Sequence, residues 1–77
     1  MEFNRKLTKL ALKQFRRQAE LTQMQLSERL SYSLKTIEDW ESLKTDKIPD
    51  EETLGKMMAL YNTTIDKILI YDYEGEG

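Results

Sequence analysis

Cysteine and histidine are both absent from this 77-residue chain. Disulfides are therefore excluded, and the usual ligands of a soft metal site are missing. Glycine is scarce at three residues, two of them among the last three positions, and proline occurs once. Few breaks mean much helix. The apolar stretch Ile68 to Tyr71 is far too short to span a membrane. The first residues, MEFNRKLTKL, lack the apolar run of a secretory signal. The expectation is a soluble, cytoplasmic protein with no membrane partner. With no staple available, a domain this small needs a compact helical core, helped by dimerisation.

An enzyme is poorly supported. There is no histidine or cysteine, no glycine-rich phosphate loop and no carboxylate pair in an expected cleft. No metal, cofactor or small-molecule ligand is indicated. Net charge is −2, from 12 basic and 14 acidic residues, which argues against a strongly nucleic-acid-binding surface. The average hides an asymmetry. Residues 1–47 carry ten basic and seven acidic groups, a balance of +3. Residues 48–77 carry two and seven, a balance of −5. A local basic patch is compatible with that split, and so is a mixed solvated surface.

The hydrophobic periodicity predicts five helices in one all-α domain spanning residues 1–77, with a core over 5–69 and an acidic tail over 70–77. A first helix is predicted from Asn4, its cap, to Glu20, burying Leu7, Leu10, Ala11 and Phe15, with Leu12 and Ala19 widening the stripe. A second starts at Thr22, where TQMQ reads as a capping box, and buries Leu26 and Leu30 with Met24 nearby. Residues 31–33 form a very short connection. Ser33 caps a third helix running to Trp40 or Leu43. Residues 44–49 form a loop. Asp50 caps a fourth helix, whose first turn holds two glutamates that suit its positive end. Leu54, Met57, Met58 and Tyr61 form its buried stripe, and Asn62 is its left-handed stop. Thr64 caps a short fifth helix with Ile65, Ile68 and Leu69.

Two short helices joined by about three residues form a helix-turn-helix pattern, which alone is weak. The residues say more. LTQMQLSERLSYSLKTIEDWE resembles the helix-turn-helix of the lambda-repressor-like, Cro-type regulators, the xenobiotic-response-element family. The match rests on Leu21, Thr22, Gln23, Leu26, Leu30, Ser33, Thr36, Ile37, Trp40 and Glu41. IPDEETLGKMMALYNTTIDKIL resembles the family's fourth and fifth helices. The resemblance covers about residues 12–69. It implies a compact five-helix domain, double-stranded DNA as partner, a third helix reading the major groove, and an arginine of the first helix, here Arg16, paired with Glu41 for structure. It also implies that Gln23, first in its helix, holds a phosphate, where simple helix-start propensity is the plainer alternative. Lys44 and Lys47 lie where the family often touches backbone, and plain solubility is their alternative.

Stepping 100° per residue from Ser33 puts Ile37 and Trp40 on one side of the third helix. Lys35, Glu38, Asp39 and Ser42 lie on the other, with Leu34 at its edge. The outer face is about one major groove wide. Ser33, Leu34, Lys35, Glu38, Asp39 and Ser42 join Gln23, Lys44 and Lys47 as candidate DNA contacts. Glu38 points off the centre of that face and could sit against Lys35 or simply stay solvated. Asp39 occupies a position similar to a base-reading one, where a carboxylate can accept from cytosine N4. Aimed at phosphate, it would cost affinity.

Three positions depart from the family pattern. Ser31 stands for the turn glycine, Tyr32 for a small apolar residue, and Leu43 for the glycine that often ends the third helix. A serine at positive φ would be strained by roughly 1 kcal/mol. The reading is a sequence-specific DNA-binding regulator that resembles small phage, plasmid or mobile-element regulators, with a repressor among its expected roles and activation left open. It is expected to be dimeric through Ile65, Ile68, Leu69, Ile70 and Tyr71, where simple completion of the core is the alternative. The alternative is a protein-binding module, antitoxin-like or scaffolding, that keeps the fold without specific DNA binding.

Overall fold

A computed structural model describes residues 2–72. Its elements are β1 (Glu2–Phe3), α1 (Arg5–Gln18), α2 (Gln23–Leu30), α3 (Leu34–Glu41), α4 (Glu51–Tyr61), a single 3-10 turn (Ile65–Lys67) and β2 (Tyr71–Asp72). The helices start where short polar side chains can take an orphan amide. Asn4 Oδ1 accepts from Leu7 N at 2.9 Å, and Asp50 Oδ1 accepts from Thr53 N at 2.9 Å. At α2, Thr22 Oγ1 accepts from Gln25 N at 3.1 Å while Thr22 N donates to Gln25 Oε1 at 2.9 Å, a reciprocal capping box.

Three helices stop at left-handed residues. Glu20 (φ 61°) follows α1, Ser31 (φ 61°) ends α2 and Asn62 (φ 55°) ends α4. The Glu20 reversal is why α1 stops at Gln18, short of the predicted Glu20.

The core is one cluster of Leu12, Leu26, Leu30, Ile37, Trp40, Leu54, Met57, Met58, Tyr61 and Ile68. Every helix contributes to it, and α3 packs against both α2 and α1. The predicted stripes of α3 and α4 are the buried ones. The predicted stripe of α1 is buried only in part: Leu12 lies in the core, and Ala11, Phe15 and Ala19 pack against it. Leu7 and Leu10 are 41% and 45% exposed, whereas Thr8, Lys9, Leu12 and Arg16 are buried. The face of α1 turned inward meets the polar end of α3 and the returning chain, so polar residues with partners fill it. Met24 is likewise exposed, not packed beside Leu26 and Leu30.

The all-α expectation holds, and its count of five helices is corrected. Among the described residues there are four α-helices. Thr64 makes no side-chain cap bond, and the segment after it closes only the single 3-10 turn before Ile68 drops into the core. A two-residue antiparallel ladder also joins the chain ends, pairing Glu2 with Asp72 and Phe3 with Tyr71. The Phe3 and Tyr71 rings lie 5.4 Å apart. Asn4 N donates to Ile70 O at 2.7 Å, and Ile70 N donates to Thr8 Oγ1 at 3.1 Å. Residues 70–72, predicted as the start of an acidic tail, are therefore tied to β1 and α1. The rest of that predicted tail, residues 73–77, lies outside the described residues. Among the described residues no helix is long and apolar enough to cross a membrane.

Candidate nucleic-acid interface

The α2–α3 unit is built by local chemistry. Ser31 leaves α2 in the left-handed region with its N–H on Ser27 O, and Tyr32 N donates to the same carbonyl at 3.0 Å. Ser33 is extended and caps α3: its Oγ accepts from Thr36 N at 3.2 Å and lies 2.9 Å from Thr36 Oγ1. Tyr32 fixes the turn from outside. Its ring meets Trp40 edge-on at 5.0 Å, and its hydroxyl shares a 3.0 Å hydrogen bond with Thr53 of α4. The bulky residue at the turn is thus an anchor between α3 and α4.

On the outer side, Ser33, Lys35 and Glu38 are exposed, and Leu34, Asp39 and Ser42 are half-buried. Lys44 and Lys47 are exposed in the loop that follows. The two adjacent acids have different surroundings. Glu38 pairs with no cation among the described residues. It stays solvated, the second of its two expected states, and Lys35 donates to Asp39 Oδ1 at 3.0 Å, the i, i+4 spacing of a helix face. Lys47 Nζ lies 3.8 Å from Asp39 Oδ2. The hydrogen bond from Lys35 holds the Asp39 carboxyl below the usual carboxylate range. Asp39 therefore stands as an anion bracketed by one helix lysine and one loop lysine, with its side chain only 15% exposed.

On the inner side, Arg16 grips Glu41 with two bonds, Nε to Oε2 at 2.6 Å and Nη2 to Oε1 at 3.0 Å. A third, from Nη1, reaches Leu21 O at 2.6 Å, just before α2. Gln23 Nε2 donates to Glu41 Oε1 at 3.0 Å, so the first side chain of α2 is half-buried and committed to this cluster. The cluster ties α1, the start of α2 and the end of α3 together. Beside it, the Tyr61 hydroxyl is buried with no hydrogen-bond partner among the described residues, and burial pushes its pKa up.

Lys9 escaped sequence reasoning. Only 1% of it is exposed. Its Nζ donates to Asp39 O at 2.8 Å, to Thr45 Oγ1 at 3.3 Å and to Lys47 O. Burial lowers its pKa, with the charges of Asp46 and Asp39 opposing that shift. The available signal was register: Lys9, Leu12 and Arg16 fall on one helical face at i, i+3 and i+7. Burial withdraws Lys9 and Arg16 from the ten cations of residues 1–47, and Glu41 from the seven acids. Eight cations and six acids remain, a surface excess of two. No group of described residues is arranged to hold a metal ion.

No curated protein and no solved structure matches the chain. A helix-turn-helix family does match, over residues 12–68, from Leu12 at the heart of α1 through α2, the turn, α3 and α4 to the buried Ile68. That span contains the two capped helices, the three-residue turn and the Arg16–Glu41–Gln23 cluster. The chain belongs to this family, the DNA-binding helix-turn-helix regulators of the xenobiotic-response-element, lambda-repressor-like kind.

Proposed function

We propose that the protein is a sequence-specific regulator that lays α3 in the major groove and binds a two-fold operator as a dimer. The observation that carries this reading is the shared exposure of Ser33, Lys35, Glu38 and the loop cations Lys44 and Lys47, following a capped turn that α4 braces. In this reading Lys35 contacts a base edge, with Leu34 and Ser42 at the rim of the contact. Ser33 sits at the helix start, where backbone N–H groups favour a phosphate. Gln23 opens α2 with backbone N–H groups alone, its side chain being held by Glu41, and Lys44 and Lys47 take the backbone beyond. Asp39 sets specificity. Its carboxylate offers an acceptor to a cytosine amino group and repels other sequences. Glu38, nearer the edge, weakens binding more evenly.

Dimerisation is proposed on the face around Ile65 and Tyr71, both about 40% exposed, while Ile68 belongs to the core and Leu69 and Ile70 are half-buried. A groove of about 230 Å³ beside Tyr71, with Phe3, Ile48, Pro49, Leu54 and Leu69 on its walls, extends that apolar surface. Sedimentation showing a dimer at high concentration, and two chains on operator DNA, is the expected result. Monomers throughout would remove this part.

One observation favours a second reading. The outer face of α3 carries a single cation against two acids, so a protein partner is an alternative occupant. Selecting bound sequences from a random DNA pool separates the two. Enrichment of one motif, repeated about 10 base pairs apart or at a multiple of that spacing, is expected of a dimeric helix-turn-helix protein. A pool that stays unenriched at low salt favours the protein-binding module.

A further inference from the structure

The C-terminal end of α3 lacks a local stop. Ser42 follows it in extended conformation (φ −84°, ψ 131°), whereas Ser31 and Asn62 end α2 and α4 in the left-handed region. The last carbonyls of a helix need donors, and a cation there also suits the negative end of the helix dipole. The cation comes from another helix, and the donors come from it and from the loop that follows α3. Lys9 reaches from α1 to Asp39 O and at the same time to Thr45 Oγ1 and Lys47 O. Thr45 Oγ1 itself donates to Asp39 O at 2.8 Å. One turn earlier on α1, Arg5 Nη1 donates to Asp46 O at 3.1 Å. The loop after α3 is thus laced to α1 at three consecutive residues, 45 to 47.

We propose that Lys9 is a positioning residue for DNA binding: its buried ammonium fixes the loop after α3 against the end of that helix, and so sets Lys44 and Lys47 at the phosphate backbone. The inference rests on the proposal that α3 faces DNA. Lys9 itself is too deeply buried to touch a ligand, so its contribution passes through the loop. A buried lysine is a costly way to stabilise a fold, because desolvation opposes its charge. An apolar side chain would fill the same space without that cost. What the apolar side chain would not do is hold three carbonyl or hydroxyl oxygens from two segments in one geometry.

The test compares wild type with Lys9→Met, which keeps the length of the stem and removes the donors. DNA binding is measured across a salt series, with folding checked by circular dichroism and a thermal melt. Loss of stability alone lowers the folded fraction and leaves the salt dependence unchanged. A displaced loop reduces the slope of log K against log salt by about one unit for each phosphate that a lysine no longer neutralises, one or two here. Lys47→Ala placed in the Lys9→Met background should then add less than it does alone. If Lys9→Met fails to fold, Thr45→Val, which removes the shared hydroxyl and leaves Lys9, is measured in its place with the same expected fall in slope. A folded variant with the wild-type slope overturns the proposal while leaving DNA binding intact. Wild type that binds no DNA at low salt overturns both.

Discussion

At its first turn α3 is held by its own neighbours: the Ser33 hydroxyl takes the Thr36 amide three residues on, and the turn before it spans only residues 31–33. At its last turn the same helix is held from afar. Glu41 is gripped by Arg16, 25 positions away, and Asp39 O by Lys9, 30 positions away. The cap at the near end is backbone chemistry that any chain with that local sequence would share, with one tertiary brace from Tyr32 to Thr53 of α4. The far end exists only when α1 is docked. The start of α3 is therefore chiefly a local property and its end a tertiary one, so substitutions at the two ends should differ in size and in coupling.

The largest effect is expected at the far end. Arg16→Ala or Glu41→Ala leaves a charge buried without its partner, which typically costs about 3–5 kcal/mol. The double variant should lose less than the sum of the singles in a thermal melt. Additive losses would show that the pair does not couple the two helices. At the near end, Ser33→Ala removes one cap bond and should cost about 1 kcal/mol. A loss as large as that of Arg16→Ala would erase the contrast between the ends.

The local features were legible in the sequence because their causes lie within four residues. Thr22 with Gln25, Ser33, Asp50 and Asn62 each announce a helix end, and Ile37 with Trp40 or Leu54 through Tyr61 each announce a buried stripe. The face of α1 was legible only in part: Leu12, Ala11, Phe15 and Ala19 do lie in or against the core. Its Leu7 and Leu10 fit the helical period, yet Thr8 and Lys9 are buried in their place because partners 62 and 30 positions away satisfy them. The same holds for the chain ends. Two residues of strand are too few to show alternation, so β1 and β2 were invisible until both ends were side by side. The fifth helix failed for an energetic reason. Thr64 accepts no cap bond, and a segment whose Ile68 must enter the core gains more from that burial than from a second turn of helix. At the interface, the outer angle of Lys35, Glu38 and Asp39 could be read from 100° steps, whereas the choice of Asp39 over Glu38 as the partner of Lys35, and the approach of Lys47, depend on the loop that Lys9 holds.

A third, smaller effect sits in the turn. Ser31→Gly relieves a left-handed serine and should raise stability by about 1 kcal/mol. No gain would mean that the hydrogen bonds to Ser27 already offset the strain. Smaller still, Tyr61→Phe removes a buried hydroxyl that has no partner among the described residues, so a melt near neutral pH should be unchanged or slightly higher. Because burial raises the phenol's pKa, the unfolded chain ionises first. The stability that Tyr61 holds in its neutral form is complete below about pH 10 and falls as pH rises beyond it. Tyr61→Phe should blunt that alkaline loss. An identical alkaline profile would place the loss elsewhere.

Asp39→Asn should leave the fold nearly untouched and change recognition. It releases Lys35 and Lys47 together, so affinity for random DNA should rise while preference at one base pair relaxes. Preferences that survive intact would show that the carboxylate is not a reader.

The central claim is that the exposed face of α3 reads bases. It is tested most directly by binding wild type and Lys35→Ala, at one fixed salt, to the selected operator and to each of its single-base variants. The account predicts that Lys35→Ala loses about 1–3 kcal/mol on the best site and levels the preference at a single position. Equal affinities for the two proteins across the whole panel would contradict it and place the reading surface elsewhere.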